Sequence, residues 1–436
     1  MRNRNVKWYL AKGIAAVLML LGTQGVEARQ SPASVKALGM GGTANAYARD
    51  SIAPFYNPAT AVCLDERWDV GFHLKRQNKE LYLYDRDVGV QTGRFSANNS
   101  WDAYGEFGIN KNFSWCDREF TFGLQYNNYD HIRTRYSSAL QDFAALGSSQ
   151  QLKFDWRTEA LTFSGAYSWN NRHHIGVGLN VYFSWLQVQG LDGLADADFT
   201  IDPGNFNNRG TDDATGVGVT LGYYGQICDD LWLGLSWTPE VSMGTFNRYR
   251  GLLAEGSLDL PETWRVGLAY QYDMCTVMAA DWEYREYGSI NSFGNNFPGS
   301  TATGFAPLFG ANNGPGFGFD DEWTLSLGID RALTECLTGR IGYRHEHGPS
   351  RRSAGTDAAL QTLTLATVEN YLSMGFTYKL NYSSELSGYA EFGLSETNKA
   401  NYPDITTAGA VTQWEPAQVN FKEKNWSFGL AYGSQF

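Results

Sequence analysis

The side chains that could do chemistry in this chain are few and badly placed for it. The six histidines, His73, His131, His173, His174, His345 and His347, are scattered along the sequence. Only His345-Glu346-His347 brings imidazoles near a carboxylate. In an extended strand that spacing turns both His to one face and Glu346 to the other, leaving two ligands where zinc takes three or four from the protein. Cys63, Cys116, Cys228, Cys275 and Cys336 form no CxxC pair and have no His at ligand spacing, which argues against a metal centre. The glycines of Gly39-Met40-Gly41-Gly42 lack the Lys-Ser/Thr and the preceding strand of a phosphate loop. No Ser or Asp/His grouping marks a rim-located hydrolase. The residues predict no enzyme, no metal and no cofactor.

Composition says what elements such residues sit on. The chain has 436 residues, 48 of them Gly, with 15% aromatic and only 18% charged side chains, against about 25% charged in an average soluble protein. Disorder needs few aromatics and high charge, and a helical bundle tolerates Gly poorly, so strands and turns are favoured. The first residues break this pattern. Arg2, Arg4, Lys7 and Lys12 precede an apolar stretch over 13–22 and the small-residue site Val26-Glu27-Ala28, the layout of a cleaved secretory signal over 1–28. That stretch falls short of the roughly 20 residues a membrane helix needs. Cleavage would remove four of 34 basic and one of 46 acidic residues, leaving an acidic chain that repels nucleic acid.

Beyond Trp68 the apolar residues alternate. Ile175, Val177, Leu179, Val181, Phe183 and Trp185 face Gly176, Gly178, Asn180, Tyr182 and Ser184; Val217–Tyr223, Leu231–Trp237, Trp323–Ile329 and Trp426–Tyr432 repeat the period. A soluble sandwich or a membrane barrel would both produce it. The connections decide: very short turns near 112–117, 170–173, 227–230, 273–276, 333–338 and 380–384 alternate with long polar loops over 137–155, 190–213, 291–321, 347–367 and 398–422. Short turns on one rim and long loops on the other are the plan of an outer-membrane barrel, with Trp at strand ends as interfacial girdles. Fourteen antiparallel strands are predicted, at 67–84, 100–113, 118–136, 157–169, 173–189, 214–226, 231–250, 261–272, 277–290, 322–332, 339–347, 369–380, 385–397 and 424–436. Four Cys fall in short turns and Cys63 just before the first strand. All five thus belong to the periplasmic rim, where oxidation could join them to one another or to neighbouring envelope proteins; chance placement of free thiols is the alternative.

Residues 29–62 carry no alternation, and at that length cannot form a core of their own. A fourteen-stranded lumen is too wide for side chains alone to fill, so this segment is expected to plug it; a loose periplasmic tail is the other reading. The residues Gly39, Gly41, Gly42, Asp50 and Asn57-Pro58-Ala59, with a Leu260-Pro261-Glu262-Thr263-Trp264 strand opening and the terminal Phe436, resemble the outer-membrane long-chain fatty-acid transporter family (FadL-like), which includes aromatic-hydrocarbon transporters. The resemblance divides the chain into signal 1–28, hatch 29–62 and barrel 63–436. It implies passive uptake of hydrophobic compounds into the bacterial outer membrane, most simply long-chain fatty acids, with lateral exit at an inward kink of the third strand. In this chain Asn127-Asn128 interrupt that strand and are the candidate kink; equally, they could be its upper end leaving the membrane.

An acyl chain gains about 0.8 kcal/mol per CH₂ only where its surroundings are apolar. Leu38, Met40, Ile52, Phe55 and Tyr56 could supply such a site. Phe293, Phe297, Phe305, Phe309 and Phe317, with Leu308, could form an outer capture site, being unusually many Phe for loops facing water. Arg265 and Lys379, among the inward cations Lys75, Arg285, Arg340 and Arg344, are candidates for a ligand carboxylate. The expected partners are a hydrophobic small molecule and outer-membrane lipids, with the chain a monomer. The rival reading is a general porin, or a structural and antigenic barrel linked to its neighbours through the rim cysteines.

Overall fold

The computed structural model describes residues 33–84, 93–97, 101–115, 118–136, 151–296, 307–348, 363–364, 368–401 and 418–436. The expected signal, Cys116, Phe297 and Phe305 lie outside them. Alternating sequence becomes strand in chain order: β1 (Arg67–Tyr84), β2 (Gly93–Ser96), β3 (Trp101–Trp115), β4 (Arg118–Arg135), β5 (Lys153–Asn170), β6 (His173–Gln189), β7 (Asp212–Cys228), β8 (Leu231–Thr238), β9 (Thr263–Asp273), β10 (Thr276–Arg285), β11 (Glu322–Ala332), β12 (Leu337–His347), β13 (Asn370–Asn381), β14 (Ser384–Asn401) and β15 (Gln418–Gln435). Each pairs antiparallel with its neighbours, and β15 returns to β1 over Arg67↔Gln435 to Tyr84↔Gln418. Closure removes the free edges of an open sheet, apart from one gap in the β3–β4 ladder. β3 pairs with Arg67–Arg76 of β1 and β2 with Glu80–Leu83, so these two strands are pieces of one stave. Fifteen strands make a closed barrel of fourteen staves.

Two predicted strands are too long: 277–290 ends at Arg285, where the chain turns into the cap, and the second overruns further. The span 231–250 is strand only to Thr238, because Pro239 has no N–H for the next ladder bond. The chain continues as a loop over 239–262, tied down by the bridges Gly216↔Met243 and Val241↔Leu260.

The barrel is inverted relative to a soluble sheet protein. On β6 and β7 the outward Ile175, Val177, Leu179, Val217, Val219 and Leu221 are exposed, an apolar wall suited to hydrocarbon. At its outer edge the indoles of Trp237 and Trp264 both donate to Glu262 Oε1, at 3.0 and 2.7 Å, holding two girdle rings in place. Inward side chains satisfy one another: Thr162 Oγ1 donates to Asn180 Oδ1 at 2.7 Å, and Asn180 Nδ2 to Thr220 Oγ1 at 2.9 Å. Among the described residues no helix is long and apolar enough to cross a membrane.

Long loops fold over the extracellular mouth. Ile201 N donates to Phe309 O at 3.0 Å and Phe309 N to Phe199 O at 2.9 Å, while Glu255 N reaches Gly310 O at 3.1 Å. Ser292 Oγ donates to Ser257 O at 2.6 Å. The described parts of three loops, 190–211, 239–262 and 286–296 with 307–321, are thereby braided into one cap.

Candidate functional site

Residues 33–64 pack against the inward face of the barrel, and the barrel is shaped to receive them. A Cβ placed on Gly342 would stand 2.0 Å from Gly41 N, on Gly234 2.0 Å from Asn45 O, on Gly328 2.2 Å from Met40 Cγ, and on Gly176 2.3 Å from Ala59 N. Gly222 and Gly108 meet Asn57 and Ser51 in the same way. These inward glycines form a backbone-deep imprint of the segment. Gly41 and Gly42 have φ of 70° and 93°, a turn that β-carbons disfavour, and it brings Gly41 N to Ser373 Oγ at 2.9 Å.

Inward carboxylates then take up backbone donors the segment cannot satisfy itself. Asp281 accepts from Ala44 N and Asn45 N, both at 2.7 Å. Asp69 accepts from Ser51 N at 2.8 Å and Glu106 from Val35 N at 3.1 Å. Within the segment itself, Asp50 Oδ1 accepts from Ile52 N and Ala53 N, and its Oδ2 from Ser34 Oγ at 2.6 Å. Asn57 caps the 3₁₀ turn Pro58–Cys63 by accepting from Ala59 N at 3.2 Å, while its Nδ2 donates to Asn45 O and Tyr223 O at 2.9 Å. The Asn-Pro-Ala run therefore fastens the segment to itself and to β7.

Above the segment an apolar column rises to the cap. Leu38, Phe55 and Tyr56 join Tyr129, Tyr182, Trp156, Phe293, Phe309, Phe317 and Phe319 in one buried cluster. Phe55 meets Tyr129 at a ring separation of 6.3 Å, Tyr129 meets Tyr182 at 5.0 Å, Trp156 meets Phe293 at 5.3 Å and Phe206 meets Phe309 at 5.5 Å. Ile52 is buried in the same segment. Met40 goes elsewhere, into a second cluster with Ala46, Ala269, Val277 and Ala279.

Charge borders the column on one side. Arg265 pairs with Glu283 and lies over the Tyr56 ring at 5.7 Å. Arg285 Nε is 2.7 Å from Glu283 Oε1, and its guanidinium stands 5.7 Å over the Tyr129 ring. Arg285 is 1% exposed, yet among the described residues its Nη1 and Nη2 have no hydrogen-bond acceptor, with Asp130 Oδ2 no nearer than 3.9 Å. The hydroxyl of Tyr56 is likewise unsatisfied. Buried donors of this kind are costly to leave unmade. They face aromatic surface, a pairing that suits a molecule with a greasy body and an acidic head. Lys379 does not belong here. It is exposed near the periplasmic rim opposite Glu385, because β13 carries it below the segment.

The wall is incomplete beside Tyr129. The β3–β4 ladder stops at Phe107↔Tyr126 and reappears as the Ala97↔Tyr136 bridge. Among the described residues, 101–106 and 127–135 carry no ladder to each other. On the other side β4 slips register against β5 between Asn128 and Asp130, which leaves Tyr129 as a bulged residue. Asn127, Asn128 and Tyr129 are all buried. Cys63, Cys228, Cys275 and Cys336 are free and exposed.

The comparisons agree with this geometry. A family described as outer membrane protein transport protein (OMPP1/FadL/TodX) matches residues 25–436. Among solved structures, the Pseudomonas aeruginosa FadL homologue superposes with a TM-score of 0.66 at 15% identity, covering 94% of this chain and 100% of that one. The P. putida toluene transporter TodX gives 0.60 at 14% identity, with 95% and 99% covered. The Ralstonia pickettii toluene transporter TbuX gives 0.58 at 13% identity, with 93% and 98% covered. Identities this low speak for the fold alone. No curated protein sequence matches significantly. A fourteen-stave barrel matched by this family over nearly its whole length belongs to the FadL/TodX family of outer-membrane transport proteins, which carry hydrophobic compounds across the bacterial outer membrane and are channels, not enzymes.

Proposed function

We propose that the cargo is a long-chain fatty acid, taken up passively with residues 29–62 acting as a hatch. The observation that carries this reading is the buried aromatic column bordered by Arg285, whose Nη1 and Nη2 have no hydrogen-bond acceptor among the described residues. Acyl chain would displace side chain from side chain along the column, and the carboxylate would complete Arg285 and Tyr56. The gap between β3 and β4, at the height of the column, supports exit into the outer leaflet, with the bulge at Tyr129 turning the strand aside.

A second reading has its own support. The column is lined by rings, and two structural relatives are titled toluene transporters. A monoaromatic hydrocarbon would use the rings and leave Arg285 unserved. The two readings part on one variant. Arg285→Gln removes a charge-assisted hydrogen bond worth about 1.5–3 kcal/mol, so oleate affinity in detergent should fall roughly tenfold to hundredfold while toluene affinity stays. Equal loss or no loss for oleate would overturn the fatty-acid reading. Uptake of labelled oleate by expressing cells that does not exceed that of empty cells would overturn transport of acids altogether.

A further inference from the structure

One face of the barrel wall combines an apolar groove with unpaired cations. On β14 the outward Gly388 and Ala390 leave a trough between Met374 and Phe376 of β13 and Phe428 and Leu430 of β15, extending to Phe72 and Leu74 of β1; its volume is about 510 Å³. The cross-strand pair Leu74↔Phe428 closes the upper end of this trough. The next outward rungs are Arg76↔Trp426, Asn78↔Lys424 and Glu80↔Lys422, with Arg94 on β2 opposite Tyr82. Successive rungs on one face lie about 7 Å apart along a strand.

Among the described residues, four cations thus stand over the trough against one outward carboxylate, Glu80, which faces Lys422 across the β1–β15 ladder. Glu80 is occupied by Arg94 and by the Tyr82 hydroxyl, at 2.7 Å from the latter. Arg76, Lys422 and Lys424 make no ion pair among the described residues, and Arg76 lies 5.9 Å over the Trp101 ring. These cations also begin low. Counted from the periplasmic turn, the apolar outward run of β1 ends at Leu74, whereas that of β6 continues from Ile175 to Trp185. Beside the girdle rings Trp101 and Trp426 the cations stand at headgroup depth, where lipid phosphates lie.

We propose that this face binds one molecule of the phosphorylated glycolipid of the outer leaflet, lipid A: acyl chains in the Gly388 trough, phosphates on Arg76, Lys424 and Lys422. An acyl chain alone would need no cations, and a soluble phosphate would need no trough. A phospholipid with one phosphate would engage fewer of the cations, which span three rungs.

The test uses the full mature chain in detergent. Native mass spectrometry and thermal unfolding are followed while bisphosphorylated lipid A, monophosphorylated lipid A or phosphatidylglycerol is added. Bisphosphorylated lipid A should bind at least tenfold more tightly than phosphatidylglycerol, with the monophosphorylated form between, and its binding should weaken with salt. The triple variant R76Q/K422Q/K424Q should lose tenfold or more in affinity, and Gly388→Leu, which fills the trough, should lose affinity for all three lipids. Oleate binding by the same variants reports that the lumen is intact. Indifference to phosphate number, or unchanged lipid A binding in the triple variant with oleate binding retained, would overturn the proposal. If the variants do not fold, salt-independent binding by the unaltered protein would do so by itself.

Discussion

Asn57 shows how a residue can matter without touching cargo. Its amide accepts from the turn it caps and donates to two carbonyls on separate pieces of chain. Asn57→Ala would leave those buried carbonyls unserved, at about 1–3 kcal/mol, with part of that from the lost cap. The expected outcome is a lower unfolding temperature in detergent without loss of barrel strand content. Arg285 is the contrasting case, where the unmet donors are the point. In the sequence it is one of six inward cations, and nothing in strand parity separates it from Arg340, whose guanidinium is taken up by Asp330 and Thr377. The choice is made by neighbours hundreds of residues away, which periodicity does not encode.

Among the elements, β4 has the most consequential irregularity. Deleting Tyr129 would bring Asn128 and Asp130 into continuous register with β5 and let the β3–β4 ladder extend upward. Uptake should then fall strongly while oleate binding to the purified protein persists. Tyr129→Ala, which keeps the extra residue and removes one ring of the column, is the comparison, and the deletion should take up markedly less than it does; uptake by the deletion equal to that of the unaltered protein would refute the exit route. The Asn127-Asn128 pair marks the neighbourhood from sequence alone, but the bulge falls one residue later, since an aromatic gives no warning of a slipped register. The alternating glycines were legible only as a small, polar face. That they are a mould for the N-terminal segment depends on how close two backbones come, as at Gly342 and Gly41. Strand existence, by contrast, was plain, because outward apolar residues recur every second position over eleven residues of β6; the exception at 239–262 turned on a single proline.

For the molecule as a whole, the fold class followed from alternating loop lengths and the even strand count, both properties of the entire chain. A crowded lumen and an open porin predict different conductance. With residues 33–64 pressed into the glycine imprint and the cap closed by three loops, planar bilayers should show little conductance for the intact protein. Removal of 33–62 should raise it at least tenfold. High conductance in the intact protein would favour the porin reading, and absence of change on deletion would show that the segment blocks nothing.

The pairing of β1 with β15 joins residues such as Arg67 and Gln435 from opposite ends of the chain. This seam cannot zip until the last stretch of polypeptide has arrived, and contacts so distant in sequence form late. The bed that receives residues 33–64 is shared by staves from both halves of the chain, Gly108 on β3 and Gly342 on β12. That bed is complete only when the far end of the polypeptide has joined the near one.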